Sequence, residues 1–91
     1  MQQTFTVVNT SGIHARPARK VVEAAMAFPC TVHLEKSGGG KRFSAKSLVG
    51  VLSLGAKHGD AVEVIADGEQ AGEAVAAIGA ILEAAHDESG V

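Results

Sequence analysis

Aromatic residues are almost absent from this sequence, which contains three Phe and neither Trp nor Tyr. Proteins that bind single-stranded nucleic acid usually stack bases on aromatic rings and carry a basic stripe. Here eight Lys and Arg are scattered among ten Asp and Glu, and the net charge is −2. The composition therefore argues against a nucleic-acid binder and predicts a core of aliphatic side chains.

Cysteine is limited to Cys30, which has no partner for an internal disulfide and so fits a reducing compartment. Cys30 and His33 have a spacing that occurs in metal sites. On a strand, however, side chains three positions apart point to opposite faces, so the two cannot bind one ion. We therefore expect no metal and no cofactor.

Long apolar runs are also missing. None approaches the ~20 residues that cross a bilayer, and residues 1–4 have neither the basic start nor the apolar centre of a signal peptide. With 46% hydrophobic and 20% charged residues, the 91-residue chain has the composition of a folded protein. We expect one domain over residues 1–91, cytoplasmic and not inserted in a membrane.

The periodicity of apolar residues predicts seven elements. Alternation predicts strands at residues 3–8, 31–35, 41–44 and 62–67. Helical spacing predicts helices from Pro17 to about Phe28, over about two turns from Ser47, and over about residues 70–86. Pro29 ends the first helix, and Ser37–Gly40 supplies the positive-φ residues of a hairpin turn. The order β-α-β-β-α-β-α predicts an α+β open-faced sandwich, a sheet that helices cover on one face only.

The stretch GIHARPA places His14 where a loop becomes a helix. Pro17 suits the first turn of that helix because its missing N–H has no partner there in any case. The N–H groups of Ala15, Arg16 and Ala18 are unpaired in such a turn, and the helix dipole adds partial positive charge. The beginning of the helix is therefore a candidate anion site.

Arg16 adds a guanidinium that fits phosphate oxygens, and the neutral imidazole of His14 is a competent nucleophile. Together these groups suit a phosphoryl group carried on His14 itself. The chain has no Walker-type loop, no magnesium carboxylate pair and no Ser-His-Asp motif, so another protein must deliver the phosphate. The alternative is that His14 is an ordinary cap or loop side chain.

Two motifs, SGIHARPA and KSLVGVLSLG, resemble the histidine-containing phosphocarrier (HPr) family of the bacterial phosphoenolpyruvate-dependent sugar phosphotransferase system. The resemblance covers essentially the whole chain. It implies a four-stranded antiparallel sheet under three helices, and a monomeric carrier rather than an enzyme. It also implies that Nδ1 of His14 accepts a phosphoryl group from phosphorylated Enzyme I and passes it to sugar-specific IIA components.

Ser47 has two compatible interpretations. At the start of a short helix, its hydroxyl is expected to cap a first-turn N–H. The resemblance adds that Ser47 matches a regulatory serine, modified in many bacteria by the HPr kinase/phosphorylase. A phosphate at a helix N-terminus is tolerated by the dipole, so its effect is expected on partner docking rather than on folding.

A partner surface is predicted around His14. Leu48, Val49 and Leu52 are more apolar than a short surface helix needs, and some of them are expected to form an exposed docking patch. The alternative places Leu48, Val51 and Leu52 in the core. Arg19, three residues after Arg16, either extends the cationic surface or lies on a solvated helix face.

Two other functions remain open at this point. A small acylphosphatase-like enzyme could use an arginine in a loop to hydrolyse a phosphorylated metabolite. A regulatory adaptor could act through Ser47 with His14 idle.

Overall fold

The computed structural model describes residues 1–8 and 15–84, and of Ala15 and Arg16 the backbone alone. The elements are β1 (Gln2–Thr6), α1 (Ala15–Met26), β2 (Thr31–Lys36), β3 (Arg42–Ser44), α2 (Leu48–Leu54), β4 (Ala61–Asp67) and α3 (Ala71–Leu82). The element order predicted from the sequence is confirmed.

The strands form one sheet in the order β1-β4-β2-β3, and each neighbouring pair is antiparallel. Because β4 lies between β1 and β2, the first strand pairs with the last, and Phe5 lies opposite Val62. β2 and β3 are joined by the predicted turn, in which Gly38 and Gly40 have φ of 79° and 76°. Glycine adopts this left-handed region without a steric penalty.

The helices cover one face of this sheet. The buried core residues lie on both layers: Phe5, Val32, Leu34, Val62, Val64 and Ala66 on strands, and Ala18, Val21, Ala25, Val51, Leu54, Ala74, Val75, Ile78 and Leu82 on helices. The opposite face carries mainly polar side chains, with Ile65 among them, and is not fully buried; there, Arg42 Nε is 3.2 Å from Glu35 Oε1. The open-faced sandwich and its aliphatic core are confirmed.

Several predicted element boundaries are wrong. Strand β1 ends at Thr6 rather than at residue 8, and α1 runs over Ala15–Met26 rather than from Pro17 to Phe28. Helix α3 covers Ala71–Leu82 rather than 70–86, although residues 85 and 86 lie outside the described residues. The helix ends have a common cause. Hydrogen bonds over three residues, such as Ala84 N–H to the carbonyl of Ile81, tighten the chain out of α-helical geometry.

Helix α3 approaches β1 closely at Gly79. This glycine is buried, and a Cβ built on it would overlap the ring of Phe5. The contact brings the backbone of α3 against the first strand, which a larger residue at position 79 would prevent.

Candidate functional site

Helix α1 begins at Ala15, directly after His14. His14 itself lies outside the described residues. Ala15, Arg16, Pro17 and Ala18 are the first four residues of the helix, whose N–H groups have no partner within the helix. Pro17 has no N–H and donates nothing. The three predicted donors, Ala15, Arg16 and Ala18, all lie in this turn. Their role in phosphate binding stays a prediction.

The first turn of α1 is fixed by burial. Pro17 and Ala18 are fully buried, and Val21 continues the buried stripe one turn later. A helix start anchored in the core keeps its N–H groups in a constant position, as an anion site needs. Arg19 lies next to these buried residues but is exposed. Its position therefore fits both predictions made for it, a cationic extension and a solvated face.

Ser47 is the N-cap of α2, as predicted. Its backbone is extended (φ −115°, ψ 121°), and its Oγ accepts a hydrogen bond from the N–H of Gly50 at 3.1 Å. The residue is exposed, so the hydroxyl lies at the surface. A Cβ on Gly50 would be 3.0 Å from the carbonyl oxygen of Ser44, so this glycine lets α2 lie close to β3. The regulatory role of Ser47 stays a prediction.

Lys46 makes a contact that the sequence did not indicate. Its Nζ donates a hydrogen bond of 2.9 Å to the carbonyl of Phe28, just beyond the end of α1. A cation is favourable there because the last carbonyls of a helix carry partial negative charge. The contact ties the beginning of α2 to the end of α1. The sequence carries no local signal for it, because the two residues are 18 positions apart.

Helix α2 has one buried and one exposed apolar side. Val51 and Leu54, three positions apart, face the core. Leu48, Val49 and Leu52, which we call the α2 patch, are 39%, 74% and 42% exposed. The alternative that placed Leu48 and Leu52 in the core is wrong, because two turns present only one face to the sheet. That the α2 patch binds partners stays a prediction.

The described residues also form a cleft between α2 and the hairpin of β2 and β3. This cleft of about 290 Å³ is lined by Lys36, Gly39, Lys41, Phe43, Ser53 and Leu54, none of which is a predicted site residue. Within residues 1–8 and 15–84, no three His, Cys, Asp or Glu side chains converge as ligands for a metal ion. No helix in these ranges combines the length and apolar character that a membrane crossing needs.

Solved structures with this fold include two HPr proteins. HPr-C-His from Thermoanaerobacter tengcongensis is 35% identical, with a TM-score of 0.84 and 91% of each chain covered. The phosphocarrier protein HPr from Bacillus anthracis is 33% identical, with a TM-score of 0.83 and coverage of 90% of this chain and 95% of that one. The fold, shared with these proteins at more than 30% identity, thus indicates a protein of the phosphocarrier class.

The family model described as "PTS HPr component phosphorylation site" matches residues 1–84. The chain belongs to this HPr family of the phosphotransferase system, and family and fold support a phosphocarrier role in that system. Crh, the catabolite repression protein of Bacillus subtilis, is also similar, at 38% identity and a TM-score of 0.71, with 94% of this chain and 99% of that chain covered. Its crystal structure is described as a dimer with a swapped domain.

Proposed function

We propose that this protein carries a phosphoryl group on His14, which it accepts from phosphorylated Enzyme I and donates to sugar-specific IIA proteins. The observation that carries the proposal is the start of α1 directly after His14, with the N–H groups of Ala15, Arg16 and Ala18 in its first turn. Membership of the HPr family supports the same role.

The transfer needs one nucleophile and a site for the phosphate oxygens. The lone pair of His14 Nδ1 attacks phosphorus, a P–N bond forms, and the bond to Enzyme I breaks with its electron pair going to the donor. The N–H groups of α1 and the Arg16 guanidinium hold the oxygens. Nearby positive charge also favours the uncharged, nucleophilic imidazole. Donation to a IIA protein reverses these steps, so the protein is a stoichiometric carrier and not an enzyme.

We further propose that Ser47 is a regulatory phosphorylation site for an HPr kinase/phosphorylase. Its hydroxyl is exposed at the cap of α2, and it is the residue immediately before the α2 patch. A phosphate adds a charge of about −1.5 to −2 there and weakens docking of a partner with an acidic surface. The cap can persist, because phosphate oxygens also accept hydrogen bonds.

The α2 patch, Arg16 and Arg19 are the proposed partner surface. Exposed apolar side chains of this size suit a small and transient interface, and the helix that carries them packs against α1. We propose that the protein acts as a monomer in the cytoplasm, which would distinguish it from the dimer described for Crh.

The test is incubation with phosphoenolpyruvate and Enzyme I, followed by location of the added phosphate. We expect an acid-labile phosphohistidine at His14 that is abolished in His14→Ala. The control His33→Ala should leave it unaffected, because His33 lies on the face of β2 that points away from the helices. Relay to a IIA protein by His14→Ala would refute the assignment. Steady release of inorganic phosphate by the protein alone would favour the acylphosphatase alternative.

A further inference from the structure

Val7 and Val8 are the last described residues before the segment that contains His14, and their backbone groups are all hydrogen-bonded. The partners lie in the loop after α2 and at the end of α3. The bonds are Val7 N–H to the Asp60 carbonyl (2.9 Å), Gly59 N–H to the Val7 carbonyl (2.8 Å), Val8 N–H to the Leu82 carbonyl (3.1 Å) and His58 Nδ1 to the Val8 carbonyl (2.9 Å).

His58 supplies the one side chain in this set of four bonds. A carbonyl oxygen only accepts, so the Nδ1 of His58 must carry the proton that it shares with Val8. The neutral ring is therefore the Nδ1–H tautomer. His58 is exposed, and its contact with Val8 spans 50 positions of the sequence. An exposed loop histidine with a defined donor role is thus attached to the chain that leads to His14.

We infer that His58 is a positioning residue for phosphoryl transfer at His14, an inference that rests on the proposed function. Six residues, 9–14, connect Val8 to α1. One end of this connection is fixed by the buried first turn of α1, and the other by the bonds of Val7 and Val8. Loss of the His58 donor removes one of the four bonds that hold the Val8 end. Small displacements of a reacting group lower transfer rates, because the reacting atoms must meet in a narrow range of distances.

Two substitutions separate the donor from the bulk of the ring. In His58→Asn, the side-chain Nδ2 is as many bonds from Cα as the imidazole Nδ1 and can donate to Val8, whereas His58→Leu keeps similar volume without a donor. The matched control is His33→Leu. With phospho-Enzyme I as donor, we expect His58→Leu to lower kcat for phosphate uptake two- to tenfold with little change in KM, and His58→Asn and His33→Leu to stay near wild type.

The tautomer provides a second measurement. Long-range proton–nitrogen correlation spectra of the neutral protein should show His58 protonated at Nδ1, and protonation at Nε2 instead would overturn the inference. If the wild-type protein takes up phosphate and His58→Leu does so at the same rate, the positioning role is refuted and the proposed function stays intact. Failure of the wild-type protein itself to take up phosphate would overturn both. A loss of stability in His58→Leu without a change of kcat would also refute the inference, since it would indicate a structural role alone.

Discussion

Replacing Gly79 by alanine is expected to destabilise the protein, although alanine is the better helix former. Gly79 lies inside α3, three residues before its last residue Leu82, where Gly→Ala alone stabilises by up to about 1 kcal/mol. Here the added methyl would overlap three atoms of the Phe5 ring, so α3 or the ring must move. Overpacking of this kind costs about 1–3 kcal/mol, and overlap with several atoms places it near the upper end. The expected net loss is therefore about 1–2 kcal/mol in the free energy of unfolding.

The same helix offers a matched control. A Cβ on Gly72 meets only the terminal Cε of Met1, at 3.0 Å, and that flexible side chain can move aside. Gly72 is the second residue of α3, so Gly72→Ala should stabilise the protein by somewhat less than the helix-interior value, about 0.5 kcal/mol. One substitution type in one helix is thus expected to have opposite signs at two positions.

The assay is urea unfolding followed by far-ultraviolet circular dichroism, since the chain has no Trp or Tyr. For a small domain, a loss of 1 kcal/mol lowers the urea midpoint by about 0.3–1 M. Combining Gly79→Ala with Phe5→Leu should cost less than the sum of the single changes, because the smaller side chain makes room for the methyl. Equal stabilisation by Gly79→Ala and Gly72→Ala would refute the argument from the Phe5 contact.

Three further predictions concern the site. Ser47→Ala should lower the unfolding free energy by about 1 kcal/mol through loss of the cap, and unchanged stability would contradict the capping role. Ser47→Asp should retain the cap and slow phosphate relay to a IIA protein, and an unchanged relay rate would contradict the regulatory role. Val49→Ala should change stability by less than about 0.5 kcal/mol and weaken partner binding measured by calorimetry, while the buried control Val51→Ala should lose about 2 kcal/mol. Lys46→Met should lower the unfolding free energy by about 1 kcal/mol through loss of its bond to Phe28, and wild-type stability would show that this bond contributes nothing.

The sequence predicted those parts of the structure that depend on neighbouring residues. Val62, Val64 and Ala66 alternate with polar or less buried positions, and this period of two defines the buried face of β4. Ala18 and Val21 define the buried side of α1 in the same way, with a helical period. The cap at Ser47 follows equally from local chemistry, since a hydroxyl at that position reaches the first turn.

Contacts between distant segments could not be predicted in this way. The bond from Lys46 to Phe28 and the overlap of Gly79 with Phe5 depend on how helices lie against each other and on the sheet. The helix ends depend on three-residue hydrogen bonds, which no apolar pattern specifies. The sequence alone left Leu48 and Leu52 either exposed or buried, because the pattern of a short apolar helix does not show which face meets the sheet.

The position of β4 between β1 and β2 has a consequence for synthesis on the ribosome. Strand β1 pairs with β4 alone, so it has no strand partner until residues 61–67 have been made. At about 5–20 residues per second, this delay of about 60 residues lasts about 3–12 s. The hairpin of β2 and β3 can form earlier, because its strands are close in sequence. The nascent chain therefore contains His14 long before the residues that bond to Val7 and Val8 have been made.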